Sequence, residues 1–402
     1  MLVFLVFFNM LIEFMGIFSN LRLLSLRKYI YIFNFLILSL HDGLRWLIGV
    51  DWQSYITYWD TLKSPINFIL TEADIFNMHV LYRQDRSFVL FTRFFHDYIS
   101  SNYTLYLLFF AIITYGLALF SVAKLTRYSL IALSFFPGFL GWYSGSQRQF
   151  FAYSLFFFTL YIIDSKKYKF FLIPLIFFAM NMHVTYLFPI LLIATFYIPK
   201  ILKYINLQIL VNFLNYYKNF FIILLTSFSV LIIFLFYEYD LVLIELFLKF
   251  VPIKSAGWFE FISLQDAEYG NPLFGTLRKI FNLTYFLFLI KFIKFKEGLT
   301  PLNYYLMVSP FVSILLYLVS LYVPQLALNS RLDSYFSAIA ILLISGRFFQ
   351  NNLKTSKLII FSFCASFLYI EYARHGCYEL FDPYHFFFEK DYISPPVCNF
   401  EQ

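Results

Sequence analysis

The sequence predicts an all-α polytopic membrane protein that crosses a lipid bilayer about twelve times. Hydrophobic residues make up 61% of the 402 residues, and charged residues only 13%. A single water-soluble core cannot bury so much apolar surface. Apolar runs of ~15 to 21 residues, enough for a helix to span the hydrocarbon layer, recur along the whole chain. Lipid is therefore the expected solvent for most of the protein.

The apolar runs define the candidate spans. They lie near residues 1–19, 29–48, 103–123, 128–143, 149–163, 170–182, 184–199, 219–237, 273–290, 302–322, 332–346 and 358–373. The first run has neither the basic flank nor the small-residue cleavage site of a secretory signal peptide, so we expect it to be the first span. No soluble domain, linker or internal repeat separates the runs, and residues 1–402 are expected to form one integral membrane domain.

Basic residues are concentrated in alternate short loops. These loops hold Arg22, Arg27, Lys28, Lys124, Arg127, Lys166, Lys167, Lys169, Lys200, Lys203, Lys218, Lys291, Lys294, Lys296, Arg347, Lys354 and Lys357. Two acids, Asp164 and Glu297, accompany them. An excess of Lys and Arg marks cytoplasmic loops. The opposite loops and both termini are then extracytoplasmic.

The long segments on the extracytoplasmic side are not apolar enough to span. Residues 51–102 and 238–272 mix Trp, Tyr and charged residues, which predicts amphipathic helices lying on the outer leaflet. An alternative is that they only cover the helix bundle. The tail, residues 374–402, carries Cys377 and Cys398, and the sequence leaves open whether they form a disulfide.

Four polar clusters lie at the predicted extracytoplasmic edge. The first contains His41, Asp42, Arg45, Asp51 and Tyr55, the second Gln147, Arg148 and Gln149, the third His183, and the fourth Arg331 and Asp333. The third cluster falls at a break between two short apolar runs. Ionisable groups at membrane depth are costly unless they are paired or functional, so these clusters are the candidate sites.

Four motifs occur in order within and around these clusters. They are R-x3-G-x-D-W-x2-Y (Arg45, Gly49, Asp51, Trp52, Tyr55), RQ-x2-A (Arg148, Gln149, Ala152), H-x-T followed by a proline (His183, Thr185, Pro189), and RL-x2-YF (Arg331, Leu332, Tyr335, Phe336). Over residues 40–340 the chain resembles the EpsG and Wzy-type polysaccharide (O-antigen) polymerases. The sequence between the motifs departs from the family pattern, so the resemblance does not constrain the sugar.

The resemblance implies a glycosyltransferase of the bacterial inner membrane with a GT-C-like helical fold and an extracytoplasmic active face. Such an enzyme transfers a growing glycan from undecaprenyl pyrophosphate to a sugar hydroxyl of an incoming lipid-linked repeat unit, making O antigen, capsule or exopolysaccharide. A chain-length regulator and a flippase are candidate partners, and the chain contains no nucleic-acid-binding module.

The leaving group of that reaction is a lipid pyrophosphate, which guanidinium groups bind well. Arg148 and Arg331 are the leading candidates for this role. Gln149, next to Arg148, and Tyr55, in the motif of Arg45, are further candidates for substrate binding. Arg278 is a further candidate, with headgroup snorkelling as the alternative. Arg45 either binds phosphate or forms an ion pair with Asp42.

The attacking hydroxyl needs a base, because an alcohol is a poor nucleophile at neutral pH. The sequence offers Asp51, placed where GT-C-like enzymes carry a catalytic acid, and His183, whose imidazole titrates near neutral pH. Which of them is the base stays open.

A metal or other cofactor is not expected, because the spacing of Asp51, Asp60, Glu72 and Asp74 matches no ligand motif. Two other functions are alternatives. An O-antigen ligase would transfer glycan to lipid A core, and a lipid-linked oligosaccharide flippase would carry polar groups along a path across the membrane. The polar groups gather at one face, which favours an enzyme.

Overall fold

Helices form every regular element in the described part of the protein. The structure, a computed structural model, describes residues 8, 9, 11, 12, 23–45, 52–61, 86–133, 146–165, 167–197, 300–322 and 328–348. Its helices are α1 (Leu23–Gly43), α2 (Trp52–Thr61), α3 (Arg86–Tyr98), α4 (Tyr103–Leu125), α5 (Gln147–Ser165), α6 (Leu172–Met180), α7 (Leu187–Thr195), α8 (Pro301–Tyr322), α9 (Leu328–Phe336) and α10 (Ala338–Phe348). Single 3-10 turns, Lys169–Phe171 and Val184–Tyr186, precede α6 and α7. The predicted all-α class is confirmed for these residues.

Helix α4 is the clearest membrane-spanning element. Within the described ranges it is the one helix that is long and apolar enough to cross a membrane by length and composition. The side chain of Asn102 accepts a hydrogen bond from the N–H of Leu105, which caps the start of the helix. Thr126 adopts an extended conformation and ends it. These 23 residues extend for about 35 Å, enough for the hydrocarbon layer.

Most predicted spans within the described residues coincide with helices, but three boundaries differ. Helix α1 begins at Leu23, six residues before the predicted start of its span at residue 29. It ends at Gly43, although the apolar run continues to residue 48, so His41 and Asp42 lie in its last turn. The run 332–346 is divided at Ser337 between α9 and α10. The spans predicted near 219–237, 273–290 and 358–373, most of the span 1–19, the segment 238–272 and the tail with its cysteines lie outside the described residues.

The chain divides into two compact units. The first comprises Met1–Tyr186, Tyr269–Lys294 and Ala338–Gln402, and the second comprises Leu187–Glu268 and Phe295–Ser337. The first unit therefore contains α1 to α6 and α10, and the second contains α7, α8 and α9.

In the first unit, α1 packs antiparallel to α4. The hydroxyl of Tyr31, near the start of α1, donates to the carbonyl of Ser129, just beyond the end of α4. At the other end of the pair, a Cβ added to Gly43 would lie 2.7 Å from the Cα of Leu108. The backbones meet so closely at this point that the position requires glycine.

Helix α5 packs parallel to α4. The ring of Phe151 lies 5.1 Å from that of Phe110, and the ring of Tyr161 lies 5.3 Å from that of Phe120. In both pairs the residue number on α5 is 41 higher, so Gln147 is level with Tyr106. Along the axis of α4, helix α5 thus begins about 4.5 Å, or roughly one turn, after the first residue of α4.

The short helices α2 and α3 pack on the first half of α4. Trp59 is buried between aromatic rings, 4.8 Å from Tyr106 and 6.4 Å from Phe95. Burial raises the pKa of Tyr58 above its usual value, so its hydroxyl stays protonated and donates to the carbonyl of Val89. These contacts attach the described parts of this segment, residues 52–61 and 86–102, to the helix bundle.

Residue Asn9 of the first predicted span joins the first unit through Asn34 of α1. The two side-chain amides exchange two hydrogen bonds of 2.8 Å each, and both residues are buried. Polar pairs of this kind hold helices together where the surroundings are apolar.

Candidate functional site

The first unit has two chemically different ends. One, here called the basic end, contains the start of α1 and the end of α4. The guanidinium of Arg27 donates to the carbonyl of Arg127 there, and the N–H of Tyr128 donates to the carbonyl of Gly346 in α10. Because α5 is parallel to α4, its end, followed by Lys167, lies at the same side. Loops that the sequence predicts to be cytoplasmic therefore share this end.

The opposite end, here called the polar end, contains the end of α1 and the starts of α4 and α5. The second cluster forms the first turn of α5. The first N–H groups of a helix have no partner within the helix and carry a partial positive charge. The hydroxyl of Tyr55 in α2 accepts a hydrogen bond of 3.5 Å from the N–H of Arg148. A residue of the first cluster thus caps the helix that begins with the second.

A second connection between these clusters passes through Tyr103, the first residue of α4. The side-chain amide of Gln147 donates to the Tyr103 hydroxyl at 3.4 Å, and Arg45 lies close enough to act electrostatically on the same hydroxyl. Arg45 is only 7% exposed, and Gln147 is also buried. Arg45, Tyr55 and Arg148 therefore lie at the same end of the unit.

Asp42 lies one turn before Arg45 and is also buried. Its carboxylate accepts hydrogen bonds from the Tyr115 hydroxyl of α4 and from Nδ1 of His41, the latter at 2.9 Å. Neither of these two hydrogen-bond partners of Asp42 is Arg45, the ion-pair partner that the sequence offered as an alternative. The ring of Tyr115 lies 5.1 Å from that of Phe150, two residues after Arg148, so Asp42 is near the start of α5.

His183 lies in the turn between α6 and α7, as the sequence predicted. The backbone N–H of His183 donates to the carbonyl of Ala179, and the ring atom Nδ1 is 2.6 Å from the hydroxyl of Thr185. The side chain is buried. The imidazole therefore stabilises its own turn, which is a structural role that does not exclude a chemical one.

The start of α3 links this turn to the polar end. The N–H of Ser87 donates to the carbonyl of Asn181 at 3.0 Å, and the ring of the next residue, Phe88, lies 5.5 Å from that of Tyr55. The first three clusters are thus connected within one unit.

The remaining predicted site residues do not take part in the connections described above. Asp51 and Arg278 lie outside the described residues. Gln149 is buried and its amide donates to the hydroxyl of Tyr153, which gives it a structural partner. Arg331 lies in α9 of the second unit, where Asp333 accepts hydrogen bonds from Ser313 and Ser337.

Sequence reasoning missed Tyr103 and Tyr115, which hold Gln147 and Asp42. Both lie within an apolar run of a chain with 33 tyrosines, so nothing in the sequence distinguishes them. Among the described residues there is no group of three or more His, Cys, Asp or Glu side chains that could hold a metal ion.

A helical membrane protein with one buried and one half-buried arginine at one end of a bundle is the class that this fold and site define. Within that class the chain belongs to the EpsG family, whose model matches residues 28–386. The predicted family is therefore confirmed, and membership supports a general role in polysaccharide polymerisation. The comparison with curated proteins and the comparison with solved structures each give no significant match.

Proposed function

We propose that this protein is a membrane glycosyltransferase that polymerises lipid-linked oligosaccharide repeat units. The growing glycan leaves undecaprenyl pyrophosphate and joins a sugar hydroxyl of an incoming unit, which yields O antigen, capsule or exopolysaccharide. The observation that carries the proposal is the convergence of Arg45 and Arg148 at the start of α5, in a chain of the EpsG family.

This arrangement suits a lipid pyrophosphate as the leaving group. The leaving oxygen gains negative charge as the glycosidic bond breaks, and fixed positive groups that are shielded from water stabilise that charge strongly. The start of α5 supplies N–H groups and a guanidinium at the same point. Arg331 and Arg278 are proposed as further phosphate ligands on the basis of the sequence motifs and charge.

The protein is proposed to act in the bacterial inner membrane, with twelve crossings, a GT-C-like architecture and the polar end facing outward. This orientation follows from the basic loops, since the cytoplasmic loops of membrane proteins are rich in Lys and Arg. A chain-length regulator and a flippase are the proposed partners. Asp51 and His183 remain the two bases suggested by the sequence.

The test is a reaction of the purified full-length protein in lipid nanodiscs with a defined undecaprenyl-pyrophosphate-linked repeat unit. A ladder of products spaced by one repeat unit supports the proposal. Transfer of the glycan to added lipid A core would instead identify a ligase. Movement of the intact lipid-linked unit between leaflets of proteoliposomes, with no ladder, would identify a flippase, and either result would overturn the proposal.

A further inference from the structure

Two His-Asp pairs occur in the chain, each in the last turn of a helix. His41 and Asp42 end α1, and His96 and Asp97 end α3. In both pairs Nδ1 of the histidine contacts a carboxylate oxygen of the next residue, at 2.9 Å in the first and 2.8 Å in the second. The contact itself is therefore a local feature of these helix ends, and its presence alone indicates no function.

The second carboxylate oxygen distinguishes the two pairs. Asp97 is exposed and accepts a hydrogen bond from Arg93, one turn earlier in the same helix. Asp42 is only 7% exposed, and its other oxygen accepts a hydrogen bond from Tyr115 of a different helix. The next residue, Gly43, meets Leu108 of α4, which is five residues or about 7.5 Å along that helix from Tyr103. Asp42 is therefore a buried acid near the polar end of a membrane-spanning helix, where ionisable groups usually serve a function.

We propose that His41 is the catalytic base that activates the acceptor hydroxyl, with Asp42 and Tyr115 as positioning residues. This inference rests on the proposed function. A histidine that donates its Nδ1–H to a carboxylate has its lone pair on Nε2 and a fixed ring orientation, which suits proton abstraction. The side chain of His41 is 20% exposed, whereas that of Asp42 is 9% exposed. The imidazole thus reaches further from the protein interior than the group that holds it.

The location of His41 agrees with this role. His41 lies in the last turn of α1, and Arg45 follows two residues after that helix ends at Gly43. The charge of Arg45 acts on Tyr103, which accepts a hydrogen bond from Gln147 at the start of α5. The proposed base and the proposed phosphate-binding groups therefore lie at the same end of the unit.

The chemical step balances with these groups. The acceptor oxygen forms a bond to the anomeric carbon of the donor glycan while its proton moves to Nε2 of His41. The bond between that carbon and the pyrophosphate oxygen breaks, and the electron pair leaves on the pyrophosphate near Arg45 and Arg148. His41 then returns the proton to the released pyrophosphate or to water. Asp42 stabilises the imidazolium during this cycle without taking the proton.

The pH dependence follows from the charges around His41. Asp42 lies on the same helix, Arg45 lies two residues beyond its end, Tyr115 faces Asp42 from α4, and uncharged Asn9 binds the same helix at Asn34. A base must be neutral to accept a proton. The pH profile of the polymerisation rate should therefore change when the imidazole is removed.

The experiment compares His41→Gln with His96→Gln in the nanodisc ladder reaction between pH 5 and 9. Glutamine retains an N–H donor for the neighbouring aspartate, and the second variant makes the same change in the local pair of α3. We expect kcat of His41→Gln to fall by at least about 100-fold with KM little changed and with a different pH profile. His96→Gln should keep the rate and the pH profile of the unchanged protein.

Asp42→Asn and Tyr115→Phe separate positioning from packing. If Asp42 orients the base, Asp42→Asn lowers kcat and alters the pH profile even in protein that melts at the original temperature, and Tyr115→Phe has a smaller effect of the same kind. A purely structural pair would lower the melting temperature while folded protein kept the original kcat and pH profile.

The outcomes of the two proposals can be distinguished. A ladder from the unchanged protein together with full activity of His41→Gln would overturn the role of His41 and leave the polymerase function intact. The absence of a ladder from the unchanged protein would overturn the polymerase function and, with it, this inference.

Discussion

The hydroxyl of Tyr55 accepts a hydrogen bond from the backbone N–H of Arg148, so a residue of α2 fixes the first turn of α5. The same tyrosine ring packs 5.5 Å from Phe88 of α3, whose neighbour Ser87 binds the turn that contains His183. Helices α2 and α3 therefore do more than cover the bundle. They hold the candidate phosphate-binding residue and the third polar cluster in a fixed relation.

Tyr55→Phe should test this connection. The change removes the acceptor for the Arg148 N–H and keeps the aromatic contact with Phe88. We expect a loss of about 0.5–1.5 kcal/mol in stability and shorter polysaccharide. Thermal unfolding in detergent and the product ladder provide the two measurements. Unchanged values in both would show that the hydrogen bond does not fix the start of α5.

Arg148→Ala and Arg331→Ala should lose long polysaccharide in a complementation assay while protein abundance stays normal. Removal of one group that stabilises developing charge typically costs a factor of about 10²–10³ in rate. Arg148→Lys should recover part of the activity, because lysine keeps the charge but not the bidentate geometry. Lys124→Ala removes a cation at the basic end and serves as the control. Wild-type chain length in both alanine variants would exclude the assignment.

Asp51→Asn and His183→Ala should rank the two bases that the sequence suggested. A true base gives a loss of about 10²–10⁴-fold in rate. If His41 is the base, both variants retain more activity than His41→Gln. His183→Ala should also lower the melting temperature, because it removes the contact with Thr185. A loss in Asp51→Asn or His183→Ala deeper than in His41→Gln would contradict this order.

The close approach of α1 and α4 predicts opposite effects for two glycines. Gly43→Ala places a Cβ 2.7 Å from the backbone of Leu108, so the helices must separate. We expect a loss of about 1–3 kcal/mol. Gly116→Ala meets only the ring of Phe35 at 3.7 Å, and it should be neutral or stabilising by up to about 1 kcal/mol. Melting temperatures of the two variants test the packing without reference to activity.

The sequence predicted the membrane helices well where apolar runs have clear ends. Helix α4 begins after a capping Asn and ends near Lys124, so its predicted range nearly matches. Hydropathy could not locate the end of α1, because four of the five residues after Gly43 are also apolar. It could not detect the division at Ser337, because a single small polar residue hardly changes the average over a span.

The charged residues of the candidate site could be predicted from the sequence, but their hydrogen-bond partners could not. Arg45 and Arg148 were identified because arginine at the edge of a span requires an explanation. The partner of Asp42 was missed because the nearest cation in the sequence, Arg45, suggested an ion pair, whereas Tyr115 is 73 residues away. Which residue hydrogen-bonds to Asp42 depends on how α1 packs against α4. The sequence around Asp42 carries no pattern that indicates this packing.

The exchange of hydrogen bonds between Asn9 and Asn34 limits how the length of the first helices can vary. An apolar helix in lipid can usually gain or lose a residue at little cost, since every side faces a similar solvent. A deletion of one residue between residues 35 and 42 would turn Asn34 by about 100° relative to the following part of α1, where Gly43 packs against α4. The side-chain amides of Asn9 and Asn34 would then lose their hydrogen bonds to each other in an apolar environment. Insertions and deletions here should therefore be tolerated far less than substitutions between apolar residues.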